Sequence, residues 1–585
     1  MPEHQDSKDQ SQRPVPATAV PATVVPGKGL TRKDSKKDRK RWPLVLAGSA
    51  TALLAVAVVA GGSIVPGADA SARITADAQV LPVGVSLANC SGPTQLLSGA
   101  AAGADPEFSP SSSSTKSLLS AVALSNADGV LPGAVVNRLD ATAAPLFTLS
   151  TAPQESPDAG GDSTASASAS GSASGSASAP ASLAPVTGVA KEKAAVVANK
   201  DVDGVSVLRS LPLGGLNSRS AGAVVVSSSD GDLQGMAAST CQLPANDLWL
   251  SGASTTVGRT AVLTLANSTS SPATVSLEFF GAGGPLQAPG GKGLVVAPGA
   301  SRSVVLSGLV PDQELVSVHV KSTGGAVSAV IQQSVLRGLT PGGVDFLAPA
   351  QSPATSQTIP GVRVQDPTLA ASISAQSGYA DATTALQVTV PGATDAVVEV
   401  KAYGTAGQVA LPSGGVFTAR AGKVNELSLA GLAQGSYTLS VRADYAMTAT
   451  VRLVNATKAG DAVDLAFAPS TRRLGDNHLL TLPASAASSL VFTAPAGSAT
   501  VTLVPISATG VLGAAKTVEL KPGITNVVDP AGLLGADAAA VLVSAAGDPV
   551  FGTQLLGNTD SANIAVLPFA SPPTESPSLK IVTGY

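Results

Sequence analysis

The sequence predicts an all-β chain: tandem immunoglobulin-like antiparallel β-sandwich units outside a single transmembrane helix. Three observations carry that expectation. Short runs alternating with period two, broken by Gly, Pro, Asn and Ser turns, fill the chain after Val205. A two-run motif followed by a short apolar signature recurs about every 100 residues, the size of a sandwich rather than of a solenoid turn or one blade. One long uncharged stretch near the N-terminus stands apart from the rest.

That stretch, Leu44 to Val65, holds only Leu, Val, Ala, Gly, Ser, Thr and Ile, and its length matches the ~20 apolar residues that cross a bilayer as a helix. Arg32, Lys33, Lys36, Lys37, Arg39, Lys40 and Arg41 flank it on one side, whereas the other side has no base until Arg73. The asymmetry places residues 1–41 in the cytoplasm as a disordered tail and the bulk of the chain outside, with 42–66 as the membrane segment and Trp42 at its interface. A cleaved signal peptide is the rival reading, since Ala68-Asp69-Ala70 and Ala70-Ser71-Ala72 suit a signal peptidase, but signal cores are shorter. The tail carries a net +5 of the chain's −4, leaving −9 for the exported part. With no basic stripe, three His and few aromatics, nucleic acid is not an expected partner.

The only cysteines, Cys90 and Cys241, both fall outside, where two thiols are expected to pair. No Cys-x-x-Cys spacing suggests redox chemistry. The bridge closes a first β domain over residues 67–245, interrupted by a Ser/Ala-rich segment, Thr151–Pro185, whose composition predicts a disordered loop. Ile74–Leu87 and Val205–Arg209 read as strands and Thr115–Leu124 as a short helix. Loss of the bridge is expected to weaken this domain alone.

From Val224 the repeat emerges. Four pairs of alternating runs read as hairpins: Ala223-Val-Val-Val-Ser to Met236-Ala-Ala-Ser, Leu315-Val-Ser-Val-His-Val to Ala326-Val-Ser-Ala-Val, Tyr437-Thr-Leu-Ser-Val to Met447-Thr-Ala-Thr-Val, and Ala540-Val-Leu-Val-Ser to Pro549-Val-Phe-Gly-Thr. The signatures that follow begin at Asn246, Val344, Val463 and Asn563. They divide the rest into sandwich units at 246–343, 344–462 and 463–585, the last including the C-terminal segment. In the second unit, strands are expected at Arg259–Asn267, Ala273–Gly281, Leu294–Ala297, Arg302–Leu306, Glu314–Val320 and Ala326–Val335. The third repeats the scheme from Ala385 to Leu453. A β-propeller-like ring of four pseudo-repeats is the alternative.

The run Trp249-Leu-Ser-Gly-Ala-Ser-Thr255, then Ala261-Val-Leu-Thr-Leu-Ala-Asn267, Ala273-Thr-Val-Ser-Leu277 and Val296-Ala-Pro-Gly-Ala-Ser301 resembles an actinobacterial family of single-pass membrane proteins known only as domain of unknown function 5719. The resemblance runs from the anchor to near the C-terminus and includes both cysteines. It implies an actinobacterial envelope and brings no catalytic residue.

Chemistry-bearing motifs are sparse. Ser113-Ser-Thr-Lys116 fits Ser-x-x-Lys, but its companion Lys-Thr-Gly is missing, Lys321-Ser-Thr-Gly324 being one residue too long. Asp247, Asp345 and Asp464 recur in the signatures, which favours strand-entry turn formers over acid/base pairs. Asp201-Val-Asp203-Gly204 and Asp230-Gly-Asp232 are fragments of a calcium loop without the other ligands. His4, His319 and His478 are scattered, and no phosphate loop or nucleophile elbow is present. No cofactor or metal is therefore expected. Function is expected to be that of a membrane-anchored, extracytoplasmic, non-catalytic structural or interaction protein at the plasma membrane, contacting an envelope protein or a cell-wall polymer. The alternative is a cell-wall glycan binder with Trp249 as the ligand contact.

Overall fold

The computed structural model describes residues 79–80, 83–96, 114–140, 144–152, 191–213, 215–557, 561–570 and 578–579. The expected tail, the expected membrane helix at 42–66 and nearly all of the Thr151–Pro185 loop lie outside them. Among the described residues no helix is long and apolar enough to cross a membrane.

The chain is all-β and antiparallel, and residues Ala78–Leu579 form one compact unit. Within it the same eight-strand sandwich is built four times. In the second sandwich the strands are Asp247–Ala253, Arg259–Asn267, Ala273–Gly281, Pro285–Leu286, Ala300–Val305, Val316–Gly324, Ser328–Arg337 and Thr340–Leu347. The short Leu294–Val296 also pairs with the third strand. One sheet takes them in the order first, sixth, third, fourth, and the other in the order fifth, second, seventh, eighth. The first sandwich (Ser86–Thr240) and the fourth (His478–Pro568) follow the same order. In the third, one continuous strand, Gly435–Asn455, serves as both sixth and seventh and runs through both sheets. Two short helices, Pro367–Ser374 and Pro530–Leu534, each start at an Asp whose carboxylate accepts two backbone N–H groups, with Pro in the first turn.

Several expectations are corrected here. Lys116–Leu124 is a strand, not a helix. It lies between two neighbours in its sheet and is buried along nearly all its length, and a continuous apolar run of that length carries no period to separate the two states. Of the four repeated hairpins only Ala223–Ser228 with Gly235–Thr240 pairs in a sheet. The other three cross from one sheet to the other, because alternation around a Gly turn looks the same whether the strands bond edge to edge or face each other across a core. The segments at Val344, Val463 and Asn563 close the sandwich before them, whereas Asp247–Ala253 opens the second.

The eighth strands, Gly235–Thr240, Thr340–Leu347, Asp464–Pro469 and Ile564–Pro568, meet at a common axis. Gly235–Thr240 and Asp464–Pro469 each lie against both of the other two, which closes a ring. Each axial strand places side chains in the core of the sandwich before it: Val344 and Phe346 in the first, Leu465 and Phe467 in the second, Ile564 and Val566 in the third. Met236 and Ala238 of the first pack with Leu556, Ala565 and Leu567 of the fourth. The four cores are thereby interlocked, so the units are not independent beads on a string.

Candidate functional site

An axis made of edge strands has a polar problem. Along each eighth strand alternate N–H groups point away from its own sheet, toward the axis, where no neighbouring strand accepts them. Asp464 solves it at one level. Its Oδ2 accepts N–H of Met236 at 2.9 Å and of Ile564 at 3.1 Å, and its Oδ1 accepts N–H of Leu465 at 3.0 Å and of Val344 at 3.2 Å. One carboxylate thus takes one N–H from every sandwich. Asp345 does the same one level along: its Oδ2 accepts N–H of Phe467 at 2.7 Å, and the N–H groups of Phe346 and Ala238 also face it. At the next level two of the strands carry Pro469 and Pro568, which have no N–H to leave unpaired.

Both carboxyls are sealed, with Asp345 at 0% and Asp464 at 1% exposure. Burial pushes Asp464 up to about 8 even though four N–H groups pull it down. Asp345 is driven well above the usual carboxylate range, by burial first and also by Asp464 beside it. The close approach fixes two glycines: a Cβ on Gly235 or Gly343 would stand 2.5 or 2.8 Å from Asp464 Oδ1, and both have positive φ. Asp345 and Asp464 are therefore buried axial pins, not turn formers. Asp247 is unrelated to them. It is exposed at the start of its strand, against His319 Nε2 at 3.2 Å.

The largest cleft, about 480 Å³, lies between the second and third sandwiches. Its charges neutralise one another. Arg259 donates to Asp381 Oδ2 through Nε (3.0 Å) and Nη2 (2.6 Å), and Arg337 Nη1 donates to Asp381 Oδ1 and, at 2.6 Å, to Gly378 O. The Arg337 guanidinium also lies 4.8 Å from the centre of the Tyr379 ring. Arg452 holds Glu426 in a fork at 3.0 and 3.2 Å. Burial would raise the Asp381 carboxyl, but the two guanidiniums bring it below the ordinary range. The cluster joins Arg259 and Arg337 of one sandwich to Asp381 of the next. Asp381→Asn is expected to cost about 2–3 kcal/mol in a urea titration, because the 4% exposed Arg337 side chain loses its counter-ion.

The other sequence candidates take structural places. Cys90 and Cys241 form the disulfide, buried in the core of the first sandwich. Trp249, read as a ligand contact, is 4% exposed: its ring stacks on His319 at 3.9 Å, lies 5.6 Å from Phe280 and packs with Val424 of the third sandwich. No ring face is open to a sugar. His319 itself sits between Asp247 and Glu278. His478, lowered by burial, donates from Nδ1 to Ala570 O and accepts N–H of Gly475 at Nε2. Asp203 of the suggested calcium loop pairs with Arg138 at 2.7 Å, a cation already supplied. Ser114 bonds Asp230 at 2.6 Å, and Lys116 opens a strand, so the Ser-x-x-Lys spacing does not put its members on one helix face. Among the described residues no group of three or more His, Cys, Asp or Glu is placed to hold a metal.

Sequence reasoning did not find the axis. The available signal was an Asp between apolar residues on both sides, Val344-Asp-Phe346 and Val463-Asp-Leu465, in a run otherwise fit for a core strand. Comparison with known proteins matches residues 196–531 to the model of a family described as a family of unknown function (DUF5719). No curated protein matches the chain, and no solved structure matches it.

Proposed function

We propose, for a chain that belongs to this family of unknown function (DUF5719) and inherits no assigned activity from it, a non-catalytic structural or interaction role outside an actinobacterial plasma membrane, held there by a single anchor at 42–66. The observation that carries the location is the Cys90–Cys241 disulfide, a bond that persists in oxidising compartments. The non-catalytic reading draws on how the ionisable groups are used: two carboxyls pin the axis and the charges of the main cleft cancel in pairs. The partner is an envelope protein or a wall polymer.

Protease added to intact, wall-stripped cells is expected to digest the chain from about Pro66 onward and to spare residues 1–41. Maleimide should label the protein only after reduction. A mature N-terminus at Ser71 or Arg73 would replace the anchor with a cleaved leader, and maleimide labelling without reductant would remove the argument for export. If a wall glycan is bound, contact through Trp249 is not expected, since that ring is buried beneath its neighbours.

A further inference from the structure

The seam between the third and fourth sandwiches contains a cleft whose charge is not cancelled. Strand Ala354–Val364 packs on the fourth sandwich at Gly361, which stands against Thr553 and Leu555. Near the end of that strand a cavity of about 350 Å³ separates the two sandwiches, a volume in the range of small-molecule sites. Arg363 is the single charged residue of its lining. It is exposed and has no carboxylate partner among the described residues. Its Nη1 reaches over Gly557, 3.6 Å from where a Cβ would stand, so a side chain at that position would crowd the guanidinium. Gln434, Ser436 and Ser489 add an amide and two hydroxyls to the lining, and Val364, Leu555 and Ile564 add an apolar wall.

We propose that this cleft binds a small organic anion of the sugar-acid or sugar-phosphate class. An unpaired guanidinium presents a planar fork that suits a carboxylate or a phosphate and repels a cation. The uncharged polar groups suit hydroxyls, and the apolar wall suits the C–H face of a sugar ring. The contrast with the larger cleft carries the choice: there every guanidinium already holds a carboxylate of the protein, and here the carboxylate is missing. The inference goes beyond the envelope reading and does not rest on it, since the cleft is the same in any compartment.

Calorimetric titration of the purified full-length chain with glucuronate, glucose 6-phosphate and glucose tests it. At least one anion is expected to bind saturably, more weakly as salt is raised, and glucose about tenfold more weakly or not at all. The preferred anion then identifies the acidic group. Arg363→Gln is expected to weaken anion binding about tenfold or more while leaving the thermal midpoint unchanged, because the side chain has no partner to lose. Ser436→Ala should weaken it less. No saturable anion binding, equal affinity for glucose, or unaltered binding by a folded Arg363→Gln would each overturn the proposal.

Discussion

Asp464→Ala is expected to abolish the closed ring, leaving a chain without a cooperative near-ultraviolet transition at room temperature. The change strands the N–H groups of Met236, Val344, Leu465 and Ile564 at an axis that water does not reach. Each buried donor left unpaired costs about 1–3 kcal/mol, and four together rival the 5–15 kcal/mol by which a typical domain is stable. Asp464→Asn is expected to fall between, since its amide oxygen still accepts while its NH2 group faces donors. Gly343→Ala should also destabilise, by pushing a methyl onto Asp464 Oδ1 and demanding a positive φ from alanine.

The same carboxyl sets a pH dependence. Its folded value of about 8 lies above the ordinary 3.8, so between those limits the folded chain binds more protons than the unfolded one. The stability it contributes is fully present below about pH 4 and declines as pH rises through about 8, with Asp345 acting in the same direction. Urea unfolding at pH 5 and pH 8 checks the sign. Greater stability at pH 8 that disappears in Asp464→Asn would mean that the N–H groups outweigh burial and the pin is ionised.

Much of the sandwich was legible because its strands are half buried and alternate cleanly. Arg259–Asn267 and Ala273–Gly281 fall where the period-two pattern puts them, each with Gly, Pro or Ser turns at its ends. What was not legible is pairing. The motifs at Leu315 and Ala540 look like hairpins, yet they turn from one sheet to the other, and nothing in side-chain alternation says which backbone edge is bonded. The axis was hidden for a related reason. An Asp beside a strand is usually a turn former, and only the long-range meeting of four edge strands gives Asp345 and Asp464 donors to accept. Pro469 and Pro568 did mark edge strands, since a central strand does not tolerate proline. Trp249 misled because a lone Trp in a chain poor in aromatics suggests a binding platform, whereas here it fills the contact between two sandwiches.

Cys90→Ser, or reduction of the intact protein, is expected to lower stability by several kcal/mol and to do so for the whole ring. The bridge spans 151 residues of sequence, and in the chain-entropy model a closed loop of that length contributes about 5 kcal/mol. It links the first strand of the first sandwich to the residue just after its axial strand, beside a backbone bridge in which Asn89 and Gln242 exchange N–H···O bonds of 2.8 Å. Without it, those two segments are held by that bridge and by the packing of Ala88, Val224 and Leu233. From the sequence alone the damage was expected to stop near residue 245. The interlocked cores change that expectation. The first sandwich houses Val344 and Phe346 of the second, while its own Met236 and Ala238 pack against the fourth and donate to the axial carboxyls. Opening it exposes those side chains and removes two of the donors that satisfy Asp345 and Asp464. Scanning calorimetry with and without reductant should therefore show one transition moving downward as a unit. A small early transition that moves while the main one stays fixed would show that the sandwiches melt independently and that the axis does not couple them.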